Sequence, residues 1–176
     1  MQIPDQIRGN ALAKILDDFR SKYGSLSRTG RLMGLVIADQ DAKVLAVNSF
    51  FEAKINYWDV GAIGAALYGV AKQGKDFFDA KDLEKAVMVY QNVQFFVQNI
   101  GSVKLTNSRE RELILILIAD KELNIGLAMM QLKNFAPRIK QQVEDDEKSQ
   151  QAMQMSETEF MQHINELKKE LFNLAS

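Results

Sequence analysis

A chain of 176 residues, 47% hydrophobic and 26% charged, is long enough to bury a core and reads as one globular domain with room for an appendage. Its 22 basic and 23 acidic side chains leave a net charge of -1, which gives no support to a general nucleic-acid surface or a polybasic membrane anchor. The absence of cysteine excludes disulfides, thiolate metal sites and cysteine nucleophiles together, and is compatible with a cytosolic setting.

The N-terminal Met1-Gln2-Ile3-Pro4-Asp5 lacks the basic-then-apolar layout of a signal peptide. No apolar run approaches the roughly 20 residues that span a bilayer. The expectation is a soluble, cytoplasmic protein without a membrane span.

From residue 5 to 23, Ile7, Ala11, Leu12, Ile15, Leu16, Phe19 and Tyr23 follow the three-and-four spacing of a helix with one buried stripe, and Gly24 is a plausible stop. Residues 32–38 and 44–47 are β-rich runs around Asp39-Gln40-Asp41-Ala42-Lys43, which predicts a hairpin. Its turn holds no glycine. Asp39 or Asp41 must then build it through side-chain to backbone bonds, with one residue accepting a positive φ.

A loop with Phe50 and Phe51 leads into a helical pattern over 58–78, with Ile63, Leu67, Val70, Phe77 and Phe78 among Gly61, Ala62, Gly64, Ala65, Ala66, Gly69 and Ala71. Each glycine costs a helix interior about 1 kcal/mol relative to alanine, so three in one helix imply the close approach of another backbone. That backbone is either the chain's own sheet or a twin helix in a dimer.

Residues 83–91 and 93–105 read as two strands, the second bulged or bent near Gly101. The next run, Leu113-Ile114-Leu115-Ile116-Leu117-Ile118, is the centre of the fold: six large aliphatics between charged ends fit a strand buried on both faces. Alternation sends the isoleucines to one face and the leucines to the other, so both need cover. After Asn124-Ile125-Gly126, a stripe of Ala128, Met129, Leu132, Phe135, Ala136, Ile139 and Val143 predicts a helix that Pro137 should kink or interrupt.

Residues 144–155 read as a polar linker or helical extension. Ser156-Glu157-Thr158-Glu159 has capping-box spacing and opens an amphipathic helix over 156–176. Its seam of Phe160, Ile164, Leu167, Leu171 and Leu174 is too short for an isolated coiled coil and must dock on something.

The order helix, hairpin, helix, two strands, aliphatic strand, helix, together with Asp120-Lys121-Glu122-Leu123-Asn124-Ile125-Gly126-Leu127, resembles the roadblock family, named with the dynein light chain of that type. The resemblance covers residues 11–143, within a domain of 5–143. It implies a profilin-like α/β (α+β) sandwich: a five-stranded antiparallel sheet flanked by helices on both faces. The helix from Trp58 would lie on one face, and the first and last domain helices on the other.

It also implies a homodimer formed through that helix and the strand over 83–91, with Val60, Gly61, Gly64, Ala65, Tyr68, Val87 and Val89 at the interface. The implied partners are a small Ras-like GTPase or another roadblock or longin-type protein, with no cofactor. Some bacterial relatives act as GTPase-activating proteins. The hairpin turn departs from the family's Asp-x-x-Gly type, and the last helix is extra; Phe160, Ile164, Leu167 and Leu171 are its candidate docking residues.

No catalytic constellation competes. Gly69-Val70-Ala71-Lys72-Gln73-Gly74-Lys75-Asp76 nearly matches a phosphate-binding loop, but Asp76 stands where the magnesium-binding hydroxyl belongs and no strand precedes it. His163 is the only histidine, and a zinc site has no second ligand of its kind. Turn chemistry accounts for Asp39 and Asp41, and Arg109-Glu110-Arg111-Glu112 marks a solvated strand entrance rather than an arginine finger. Met129 and Met130 suit core packing, whereas Met153 and Met155 suit docking. The expected function is a non-catalytic dimerising platform; the alternatives are a GTPase-activating protein supplying no catalytic residue, or a small-molecule sensor.

Overall fold

The computed structural model describes residues 7, 9–51, 55–107 and 109–173. In chain order these form helix α1 (Ala11–Leu26), strands β1 (Leu32–Asp39) and β2 (Val44–Val47), helix α2 (Tyr57–Gln73) and a single turn α3 (Lys75–Phe78). Strands β3 (Lys85–Val89), β4 (Val93–Lys104) and β5 (Glu110–Asp120) follow, then helices α4 (Ile125–Asp145), α5 (Glu147–Gln154) and α6 (Glu157–Asn173).

The five strands make one antiparallel sheet in the order β2-β1-β5-β4-β3. The aliphatic strand β5 is central, as its composition requires. Leu113, Leu115 and Leu117 pack with Leu12, Leu16 and Phe19 of α1 and with Leu132, Phe135 and Ile139 of α4. Ile114, Ile116 and Ile118 pack with Tyr57, Val60, Ala65 and Tyr68 of α2. The predicted sandwich is therefore present, with its two helical layers separated by the pleat of a single strand.

The hairpin turn is built as the sequence requires. Asp39 Oδ1 accepts from the backbone N–H of Asp41 and of Lys43, both at 2.9 Å, and Ala42 takes the positive φ, 67°. The bulge expected near Gly101 lies between Asn99 and Gly101, whose φ is 107°. At the exit from β5, the Asn124 side chain caps α4 by accepting from Leu127 N.

Three local expectations need correction. Helix α1 runs through Gly24 to Leu26, because Tyr23 is buried and anchors its last turn: its hydroxyl donates to Thr29 O and accepts from Asn124 N. The helix expected over 58–78 starts one residue earlier, capped by Asn56, and α2 gives way after Gln73 to the separate turn α3. Pro137 does not interrupt α4. It lies on the solvent side, where water can take the carbonyl that proline leaves free, while buried Leu132, Phe135 and Ile139 hold the helix down on either side.

Candidate functional site

Helix α2 is apolar on two sides, and the structure separates their roles. Val60, Gly61, Gly64, Ala65 and Tyr68 all face the sheet and are buried. A Cβ on Gly61 would come within 2.6 Å of Val44 Cγ2, and one on Gly64 would run into the Ile116 side chain. Gly61 and Gly64 thus make room for side chains of the chain's own sheet in place of another backbone, and Gly69 faces open space. These five residues are buried within the protomer, against its own sheet.

The opposite side of α2 carries Ala62, Ile63, Ala66 and Val70, all exposed, with Val70 71% accessible. Phe77 and Phe78 of α3 extend this apolar strip at more than four-fifths exposure each, 86% and 82%. Asp79, in the left-handed conformation with φ 49°, ends the turn and leads the chain towards β3.

Strand β3 is the outermost strand on its side. Tyr90 N donates to Val93 O, and Glu84 O accepts from Asn99 N, so the even-numbered residues turn their backbone groups to β4. Lys85, Val87 and Val89 accordingly turn theirs to the open edge. Val87 and Val89 are exposed. Apolar strip and open edge together form the candidate interface.

Between them and the sheet lies a polar cluster. Lys72 Nζ donates to both carboxylate oxygens of Glu112 at 2.6 Å, and Asn99 Nδ2 donates to the Tyr68 hydroxyl at 2.8 Å. Burial, followed by the Glu112 charge, pushes the Tyr68 hydroxyl up to about 12. Tyr68 therefore stays protonated at neutral pH and serves structure. The phosphate-loop-like residues 69–76 are the end of α2 and the turn α3, with Lys75 near Asp82, so no phosphate cradle forms.

Asp39 is fully buried, and desolvation raises its pKa above 3.8 despite the Lys43 N–H bond that opposes the shift. Asp41 pairs with Arg111. Among the described residues no group of three or more His, Asp or Glu side chains could hold a metal ion, and no helix is long and apolar enough to cross a membrane.

The C-terminal helices sit differently from expectation. Met153 is completely buried in the leucine-side core, and Met130 is exposed. Phe160 and Ile164 are buried, the Phe160 ring standing edge-on to Trp58 of α2 at 6.1 Å between centroids. These two seam residues dock on their own domain; the Leu167 and Leu171 side chains lie outside the described residues. The Ser156 box is formed, with Glu159 N donating to Ser156 Oγ and Ser156 N donating to Glu159 Oε2.

Sequence reasoning missed Lys43. Its side chain is only 3% accessible, and its ammonium donates to Met153 O at 3.0 Å and Met155 O at 2.6 Å, with Asp39 Oδ2 at 3.8 Å. It thus caps the C-terminal end of α5, where orphan carbonyls and the helix dipole favour a cation. His163 is exposed and lines a cleft of about 660 Å³ between β2 and helices α5 and α6.

No protein-family model matches the chain, and no curated protein matches it. Solved structures do. A Roadblock/LC7 domain from Streptomyces avermitilis is 18% identical, with a TM-score of 0.54 over 70% of this chain and 92% of that one. A structure described as MglB with a tetrameric arrangement is 12% identical, with a TM-score of 0.60 over 82% of this chain and 98% of that one. The gliding protein MglB from Thermus thermophilus is also 12% identical, with a TM-score of 0.59 over 82% of this chain and all of that one. Sheet order, the helical layers and these likenesses agree: this chain has the fold of a roadblock-type domain.

Proposed function

We propose that the protein is a non-catalytic, cytoplasmic roadblock-type platform that forms a homodimer and binds or regulates a small Ras-like GTPase, or scaffolds a larger complex. The observation that carries this reading is the apolar strip of Ile63, Ala66, Val70, Phe77 and Phe78 on the same domain as the open β3 edge. A second copy is self-complementary to both: two β3 strands pair through the backbone groups of Lys85, Val87 and Val89, and two α2 helices meet through their outward faces. Relative to the sequence-based expectation, the α2 contribution moves from Val60, Gly61, Gly64, Ala65 and Tyr68 to the opposite side of the helix, while Val87 and Val89 stay in place. That one of the matched structures is described with a tetrameric arrangement is in keeping with self-association.

The Ras-like partner follows from the family resemblance. The mechanism is contact between surfaces, because the polar groups at hand, Tyr68, Lys72 and Glu112, are spent on one another. Light scattering at tens of micromolar should give twice the 19.9 kDa of one chain, and a monomer there removes the dimer. Capture from native lysate should recover a small GTPase. Single-turnover GTP hydrolysis by that GTPase should be unchanged on adding this protein; acceleration would make it an activator instead of a platform.

A further inference from the structure

The sheet has two edges, and the C-terminal helices attend to only one. At β2, the Leu45 carbonyl points away from β1 and accepts from Asn10 Nδ2 at 2.9 Å. Leu45 is the extra residue of a bulge in the β1–β2 ladder, between Val44 opposite Ala38 and Ala46 opposite Ile37. Beyond it stand α5 and the start of α6. Together with Val44, Leu45 and the segment of Ile7, Gly9 and Asn10 before α1 they enclose the 660 Å³ cleft, its far wall formed by Ala152, Met155, Phe160 and Ile164.

This strap is fastened at four places, the first being Thr106 after β4, whose N–H donates to Gln150 Oε1 at 3.3 Å and whose Oγ1 accepts from Gln154 Nε2 at 2.5 Å. Met153 enters the leucine-side core, Lys43 holds the carbonyls of Met153 and Met155, and Phe160 lies against Trp58 on the isoleucine side. The chain therefore passes from one face of the sheet to the other around the corner where the β1–β2 turn meets the β2 edge. No other side of the sheet is crossed in this way among the described helices.

We propose that the α5–α6 strap is an intramolecular stop that prevents a second copy from pairing with the β2 edge, with Lys43 as its latch. A sheet whose two edges each pair with their like has no closing symmetry. Contacts between β3 strands and contacts between β2 strands would then alternate into an open-ended assembly. With β2 blocked, association ends at the β3 pair. The consequence for assembly size rests on the dimer proposed above; the blocking of β2 does not.

The test is light scattering on full-length variants, with circular dichroism and a thermal melt to show that each is folded. Phe160→Ser with Ile164→Ser frees α6 without touching the sheet, and adding Lys43→Met opens the latch. Both should give masses above the dimer that rise with concentration, the triple variant more. In a Val87→Pro background, which removes an edge N–H at a position where proline is tolerated, the parent should be a monomer and the released form a dimer.

If the wild type is a monomer and Val87→Pro changes nothing, the β3 dimer is wrong, and a gain from monomer to dimer on release still supports the stop. Folded release variants that keep their parent's mass in both backgrounds overturn it. So does unfolding of the released forms, since the strap would then be part of the core and not a detachable cover.

Discussion

The two edges of this sheet differ in how their backbone groups are handled. At β2 a side chain from the start of α1 takes a carbonyl, a buried lysine anchors the passing helix, and a strap stands across the strand. At β3, the outermost strand on the other side, Val87 and Val89 are both exposed. An open, apolar edge invites pairing, and proteins usually blunt it with charge, proline or cover. Here one edge is blunted and the other is not, and the proposed dimer uses the one that is not.

The contrast can be broken first where the open edge meets the outer face of α2. Ile63→Asp with Val70→Asp should weaken the dimer by well over ~100-fold, since burying each of these side chains is worth about 1.5–3 kcal/mol and each protomer loses two of them. Sedimentation against concentration reads this, and Gly61→Ser is a poor control because it disturbs the sheet contact. An undiminished dimer would place the interface elsewhere.

Next in size is the latch on the covered edge. Lys43→Met leaves the Asp39 carboxyl buried without its cation and two helix-end carbonyls without a donor, and should cost about 3 kcal/mol in urea unfolding. Adding Asp39→Asn should recover part of it, because the amide oxygen can still accept from Asp41 and Lys43 N–H. A double variant no better than Lys43→Met alone would show that the carboxylate charge is not the problem.

A smaller effect comes from the pH dependence of the same turn. Burial raises the Asp39 pKa above 3.8, so the folded state holds its proton more tightly than the unfolded chain. Its contribution is therefore complete below the unfolded value and is lost as pH rises through the folded one. Relative to Asp39→Asn, the wild type should gain stability as pH is lowered from 7 towards 4. A difference that is flat over this range contradicts the assignment.

The smallest is at the α6 start. The Ser156 N–H and hydroxyl lower the Glu159 pKa, so the box is present above the unfolded value near 4.5 and fades as pH falls through the folded one. Amide exchange in the first turn of α6 should quicken on that descent, and at neutral pH in Ser156→Ala. Unaltered exchange would mean that Phe160 and Ile164 alone hold the helix start.

Much of this was legible in the chain. Six aliphatics with isoleucine and leucine in alternation identify β5 and require both helical layers; Asp39 announces the glycine-free turn; Ser156 and Glu159 announce α6. The direction of α2 was hidden for a physical reason. Ile63 and Val70 make its outer side as apolar as its inner one, and periodicity orients a helix only when its faces differ. Lys43 was hidden because a charged residue in a turn suits solvent, and its carbonyl partners lie 110 and 112 residues away. Met153 was masked by the polar glutamines around it.

The position of β5 also governs how the chain can be made. It is the last strand in sequence yet sits between β1 and β4, with Ile37 opposite Leu115, a separation of 115 − 37 = 78 residues. At a synthesis rate of about 5–20 residues per second, β1 waits on the order of 4–16 seconds for its partner. Throughout that interval the nascent first hairpin holds Leu35 and Ile37 beside an unpaired flank. The flank of the hairpin is thus open to mispairing for as long as the ribosome is working through β3 and β4, before the strand that completes the sheet exists.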